Sequence, residues 1–327
     1  MTPDDVVAET PPTRRAEHRG ANAGGSGAGS GTAAPALRLR GATLAYGQRE
    51  LWRGLDLDVD PGQFVAVLGS NGSGKTSLLR VLLGEQPLTE GSGWILGRPI
   101  ARGSTDVGYV PQRVAIDAMA MLKARDVVRM GVDGHRWGFP FSFGSRRRRD
   151  RARIDDLLAS VGAAGFGDAP ISMLSGGEVQ RIRVAEALAA DPGLLLCDEP
   201  LAALDLRHQQ DVAALIDAHR RRSGTAVLFV THDVNAVLSY VDQILYLANG
   251  SFRIGTPSQV LTSEVLSELY QAPVEVLRIN DRVVVIPPTG AVGHQSVDDH
   301  AHLDPFGAFA DHAHDHDHGH GGGTRAG

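Results

Sequence analysis

The octapeptide GSNGSGKT, Gly69 to Thr76, has residues and spacing suited to gripping a polyphosphate. Gly69, Gly72 and Gly74, with Ser70, Asn71 and Ser73 between them, let the backbone curl until successive N–H groups point at phosphate oxygens. Lys75 supplies a mobile point charge for β and γ phosphates, and Thr76 offers a hydroxyl to Mg²⁺. The lysine is informative in itself. Of 32 basic residues only Lys75 and Lys123 are lysines. Where arginine is the default cation, a lysine here marks a need for a compact ammonium.

A second stretch, LLLCDEP (Leu194 to Pro200), reads as a buried strand ending in Asp198 and Glu199. An aspartate there can hold Mg²⁺, and the adjacent glutamate can polarise an attacking water. Alone, the pattern equally describes a capped, solvated turn. Its company with a phosphate loop in one α/β domain makes it specific. A third stretch, MLSGGEVQRI (Met173 to Ile182), sets Ser175, Gly176 and Gly177 before a long helix. A serine cap and glycines at a helix N-terminus suit an approaching anion, and they also suit an ordinary N-cap.

These residues need elements to hold them. FVAVLG (Phe64 to Gly69) is a short apolar run fit for a buried central strand, and Thr76 to Leu83 reads as the helix that follows. LRLRGATLAY and LDLDVD alternate as half-buried strands do. From about Asp117 to Gly167 the texture is helical, with ARDVVRMG and IDDLLASVG as amphipathic pieces. Buried strands return at Leu194 and at Ala226 to Asp233, with a helix from Leu206 to Arg222 between them. Asn249-Gly250 and Asn280-Asp281 each predict a hairpin turn, and SEVLSELY a short helix.

The three motifs together resemble the ATP-binding cassette (ABC) ATPase family over about Leu37 to Gly255. The resemblance implies an α/β P-loop ABC ATPase core with an antiparallel β subdomain and an inserted helical signature subdomain. It implies an ATPase domain over 37–262, with the helical subdomain at about 113–190 and a helix-and-hairpin extension over 263–290. It also implies roles. Tyr46 would stack on adenine, and GSNGSGKT would be the Walker A loop. Gln112, in GYVPQ, would sense Mg²⁺ and the transport domain. Asp198 would be the Walker B acid and Glu199 the catalytic base. Asp205, in AALD, would be the D-loop, and His232, in VTHD, the switch histidine at the γ-phosphate. Ser175, Gly176 and Gly177 would complete the ATP site of a second cassette rather than their own. Glu178 departs from the family's commonest glutamine and is expected to modulate the site more than abolish it.

Composition narrows the function. Formal net charge is -6, mostly from the tail, so the body is near neutral and no basic nucleic-acid surface is indicated. One cysteine, Cys197, leaves no disulfide or cysteine-zinc framework and reads as an inert hydrophobe. No apolar run is long enough for a membrane span, and no signal-peptide pattern opens the chain. Residues 1–36, rich in Gly, Ala, Pro, Ser and Thr, read as a disordered leader. Trp137, Phe139, Phe141 and Phe143 precede Arg146 to Arg149, which fits either docking on a membrane partner or a loop and a solvated helix start. Arg151 and Asp155 are spaced for an i,i+4 pair, and His135, His208 and His219 read as surface histidines.

Residues 291–327 read as a disordered His/Asp-rich tail, with His312, His314, His316, His318 and His320 at every second position. Imidazole with carboxylate suits Zn²⁺, and a solvated low-complexity tail or a purification tag gives the same composition. The expected protein is the ATP- and Mg²⁺-using subunit of an importer, peripheral on the cytoplasmic face of the membrane. Its cargo would be zinc or manganese, with Zn²⁺ on the tail. Its partners would be an integral membrane permease, an extracytoplasmic solute-binding protein and a second copy, with no nucleic acid. Import of an iron chelate or haem, a soluble non-transport ABC ATPase, and a metal-storage protein are the alternatives.

Overall fold

Short, almost uninterrupted apolar strands send alternate side chains to opposite faces of a sheet that is buried on both sides. The computed structural model describes residues 34–112, 119–133, 145–202, 204–280 and 282–286. The strands are β1 (Leu37–Tyr46), β2 (Arg49–Val59), β3 (Phe64–Gly69), β4 (Glu90–Ile95), β5 (Arg98–Pro99), β6 (Val107–Val110), β7 (Leu194–Asp198), β8 (Ala226–Val230), β9 (Gln243–Ala248), β10 (Ser251–Gly255), β11 (Glu275–Ile279) and β12 (Arg282–Ile286). The helices are α1 (Lys75–Leu82), α2 (Ala124–Asp133), α3 (Ser145–Ser160), α4 (Gly176–Leu188), α5 (Leu206–Ser223), α6 (Pro257–Val260) and α7 (Ser263–Tyr270).

A six-stranded sheet runs β10-β9-β3-β8-β7-β6, parallel except for the antiparallel edge pair β9–β10. A second, antiparallel sheet runs β2-β1-β4-β5, and β11 pairs with β12 separately. Period-two alternation splits the core. From β3, Phe64, Ala66 and Leu68 enter a core shared with α2, α3, α4 and α5. Val65 and Val67 enter the other, shared with β1, β2 and α1. Both faces of the large sheet are therefore covered, which is why its strands are almost uniformly apolar.

Helix ends and turns follow local chemistry. Ser175 caps α4 and Glu178 returns the bond, so the two form a capping box. Asp205 caps α5 by accepting from the N–H of His208 at 2.9 Å. Asn249 and Gly250, at φ 49° and 78°, make the left-handed two-residue turn between β9 and β10.

Several details differ from the sequence expectations. Helix α1 starts at Lys75, because Gly74 (φ 100°) is already its left-handed cap. Ala36, placed in the leader, is fully buried, and its carbonyl accepts from the N–H of Leu96 at 2.9 Å. Asp155 pairs with Arg125 at 3.3 Å across two helices rather than along its own helix with Arg151. His219 is half-buried beside Thr225, and burial holds its imidazole below the usual histidine range. Most of the leader, the Trp137–Phe143 segment, His135 and the histidine tail lie outside the described residues.

Arg220 fastens α5 to the sheet. Its guanidinium donates to Asp217 (2.7 Å), to Asp242 (3.1 Å) and to the carbonyls of Gly62 (2.6 Å) and Tyr240 (3.2 Å). It also lies 5.7 Å from the Phe64 ring centroid. Asp217 and Arg220 are both buried; Arg221 also reaches Asp217 at 2.8 Å, so removing Arg220 leaves that carboxylate one cation short and takes the donor from Asp242 and from the Gly62 and Tyr240 carbonyls. Arg220→Ala should cost about 3 kcal/mol or more of stability. Urea denaturation would measure it, and a loss under about 1 kcal/mol would contradict this role.

Candidate nucleotide site

The site lies where β3, β7 and β8 end. Their parallel order brings Gly69, Asp198 and Val230 to one edge, with the loop after β3 running directly into α1. That is the usual ligand edge of a parallel sheet, and the N-terminus of α1 points into it.

The loop between β3 and α1 works only without side chains at its bends. Gly69 has φ 145°, and a Cβ there would sit 2.1 Å from the Leu247 carbonyl oxygen and 2.8 Å from Ser73 Oγ. Lys75 is buried, and its Nζ donates to the carbonyls of Gly69 (2.7 Å) and Ser70 (3.0 Å). Burial holds its ammonium below the usual lysine range, against the pull of Glu199 and Asp198. Asp198 is buried too. Burial, followed by the Glu199 charge, lifts its carboxyl above the usual range. Each ion is thus under-compensated in opposite senses: an added anion favours Lys75 and an added cation favours Asp198. Ser73 Oγ is buried without a hydrogen-bond partner, a further polar atom suited to a ligand. The site's chemistry fits a magnesium–nucleotide complex.

Glu199 follows at φ 46°, a left-handed turn that aims its carboxylate into the cleft. Gln112 Nε2 donates to Glu199 Oε2 at 2.8 Å, and His232 Nδ1 lies 3.5 Å from the same oxygen. The cleft encloses about 890 Å³, lined by Tyr46, Asn71, Gly72, Gly74, Lys75, Thr76, Gln112, Glu199 and His232 among others. Tyr46 is half exposed, its hydroxyl bonded to Gln86.

Two contributors carried no sequence signal. Arg49 lines the cleft and donates to the Gly72 carbonyl at 3.1 Å. Tyr109, on β6, reaches Asp198 Oδ2 at 3.4 Å, and its phenol is pushed up to about 12 by burial and then by the Asp198 charge. Only the pairing of β6 with β7 brings that tyrosine there.

Ser175, Gly176, Gly177 and Asp205 are not among the cleft-lining residues. They lie at the N-terminal ends of α4 and α5, which meet through His208. A Cβ on Gly177 would lie 2.6 Å from the His208 ring, and His208 Nδ1 is 2.7 Å from Asp205. Glu178 accepts from both the N–H and Oγ of Ser175 at 2.8 Å. These bonds hold its carboxyl below the usual range. Among the described residues, no group of three His, Cys, Asp or Glu is placed to hold a metal on its own, and no helix is long and apolar enough to cross a membrane.

A glycine-rich loop running from β3 into α1, a pair of acids at the end of β7 two strands away, and a serine-capped helix opening on two glycines define the class: an ATP-binding cassette. Comparison with known proteins agrees. Residues 52–202 match the family described as ABC transporter. The haemin import ATP-binding protein of Streptomyces coelicolor is 38% identical, over 72% of this chain and 83% of that one. The zinc import ATP-binding protein of Halorhodospira halophila is 33% identical, over 83% and 91%. The manganese transport system ATP-binding protein of Halalkalibacterium halodurans is 30% identical, over 77% and 98%. Among solved structures, an inward-facing metal-chelate type ABC transporter superposes with a TM-score of 0.65 at 28% identity, covering 78% of this chain and 98% of that one. The chain belongs to the ABC transporter family, as an ATP-binding subunit. It is an ATPase that uses ATP with Mg²⁺, pairs with a second cassette and couples hydrolysis to a membrane permease subunit.

Gly69→Ala should lower Mg–ATP affinity at least about a hundredfold while leaving the helical content intact, because the new methyl group cannot coexist with the Leu247 carbonyl. Calorimetric titration with circular dichroism would measure both. Unchanged affinity would contradict the loop geometry.

Proposed function

We propose that this chain powers import of a divalent transition metal, zinc or manganese, from the cytoplasmic face of the membrane. The observation that carries the cargo is the extent of likeness to the zinc and manganese relatives, which covers 83% and 77% of this chain against 72% for the haemin relative. An extracytoplasmic solute-binding protein would deliver the ion to the permease. Haem is the second reading, favoured by the higher identity to the haemin subunit.

In this reading the residues divide the work. Tyr46 stacks on adenine, and the N–H groups of Gly69 to Lys75, with the Lys75 ammonium, hold the phosphates. Thr76, Asp198 and Gln112 would hold Mg²⁺, which would supply charge neutralisation at the phosphate oxygens. Glu199 accepts a proton from the attacking water as the water's oxygen bonds to the γ-phosphorus and the β–γ bridge breaks. Gln112 and His232 position that carboxylate from two sides. Ser175 and Gly177 meet the partner's γ-phosphate, with Gly176 and Asp205 shaping the same seam. The cassette occupies 37–262, with the helical insertion at about 113–190 and the C-terminal extension over 263–290.

Glu199→Gln should retain Mg–ATP binding, lose at least about a hundredfold in turnover and accumulate an ATP-bound pair. Introduced into the host, it should stop high-affinity uptake of radiolabelled zinc or manganese and spare haem utilisation. Lost haem utilisation with normal metal uptake would select the second reading. Near-normal ATP turnover would remove Glu199 as the base.

The tail supports the same cargo. We propose that His312, His314, His316, His318 and His320 bind Zn²⁺ with moderate affinity. Protons compete for imidazole, so binding should weaken as pH falls through about 6.5. Calorimetry of full-length and 291–327-deleted protein should show zinc sites lost with the tail and basal ATP hydrolysis retained. Equal zinc stoichiometry in the two would contradict the proposal.

A further inference from the structure

The C-terminal hairpin has two unlike faces. In register, Val276 opposes Val285 and Arg278 opposes Val283 on one face. That face meets the body through Val283, which is buried, Val276, which packs on the core, and Arg278, which donates to the Pro257 carbonyl at 3.4 Å, while Val285 toward the open end of the hairpin is 38% exposed. Glu275–Ile286, Leu277–Val284 and Ile279–Arg282 make up the other face. Its aliphatic residues Leu277, Ile279, Val284 and Ile286 are 37%, 54%, 43% and 40% exposed. Adjacent exposed aliphatics on a sheet face mark a contact surface more than scattered ones do.

The edges of the hairpin are already engaged. Val283 donates its N–H to Asn235 Oδ1 (2.8 Å) and accepts from Asn235 Nδ2 at its carbonyl (3.0 Å). Val276 donates to Ser263 Oγ at 2.9 Å. Extension by another strand is therefore obstructed on both sides, and stacking on the open face remains.

We propose that this open face packs on the same face of a second copy of the chain. A two-fold contact must be self-complementary, and this face is. Glu275 and Arg282 stand at opposite corners of the aliphatic patch. A two-fold axis in the contact plane, perpendicular to that diagonal, sets each glutamate over the partner's arginine. With ordinary strand spacings it crosses the strands at roughly 40°, near the ~30° of aligned sheet packing. The aliphatic patch amounts to about 300 Å² per copy, so the contact falls below the ~1,200 Å² total of a stable free-standing interface. It therefore acts between cassettes already brought together, where effective concentration is high. The inference rests on the pairing of cassettes. The Asn235 bonds support it further, since they place the hairpin against the loop that carries His232.

Disulfide trapping tests the contact. Cys197 is buried and its thiol is pushed up by burial, so introduced cysteines respond alone. Within one chain the Glu275–Arg282 diagonal is roughly 14 Å, too long for a disulfide, which needs Cα atoms ~4.4–6.8 Å apart. Full-length E275C and R282C proteins, alone and mixed, would be oxidised with copper phenanthroline with and without Mg–ATP. The mixture should crosslink at least fivefold more than either protein alone, and adding Leu277→Lys to both should remove that excess. With Glu199→Gln also present, Mg–ATP should raise the yield. Equal yields in all three samples, or none in any condition, would overturn the proposal. A specific E275C–R282C crosslink that ignores ATP would uphold the contact and count instead against Glu199 trapping the pair.

Discussion

A lysine ammonium kept almost out of water beside two carboxylates is the constraint on which this structure depends. Lys75, Asp198 and Glu199 come from two strand ends, and none could be placed there without the parallel sheet between them. Burial alone would drive Lys75 and Asp198 toward neutrality. A site in that condition answers strongly to a bound polyanion with its cation. The glycine loop, the Gly74 cap and the left-handed Glu199 turn are ways of crowding these charges together without side-chain collisions.

The signature region obeys a different logic. Glu178, a departure from the common family pattern, serves as the reciprocal half of the α4 capping box. Its carboxylate engages the Ser175 hydroxyl. Asp205 is likewise a helix cap, and its carboxylate holds the imidazole of His208 that packs over Gly177. Residues read from the sequence as facing a partner's nucleotide are thus held by ordinary helix-end chemistry within their own chain. The same bonds fix the orientation in which those residues are presented.

Much of this was legible beforehand, for local reasons. The phosphate loop, the apolar strands at Phe64, Leu194 and Ala226, and the turns at Asn249 and Asn280 are encoded in neighbouring residues, and they appear where expected. Contacts between distant segments were not legible. Gln112 meets Glu199, and Tyr109 meets Asp198, because β6 pairs with β7. Arg49 reaches the cleft through the path of β2, and no motif marks it. The Arg151–Asp155 spacing misled because a helix neighbour competes with any partner on a packed helix, and Arg125 holds that position.

The amide of Asn235 joins the loop bearing His232 to the backbone of Val283 by two hydrogen bonds. The N–H of Val283 is therefore protected from solvent hydrogen only while that loop stays in place. Its exchange rate reports separation of the hairpin from that loop, so a single backbone amide in β12 serves as a built-in clock for movement beside Glu199, which His232 approaches to 3.5 Å.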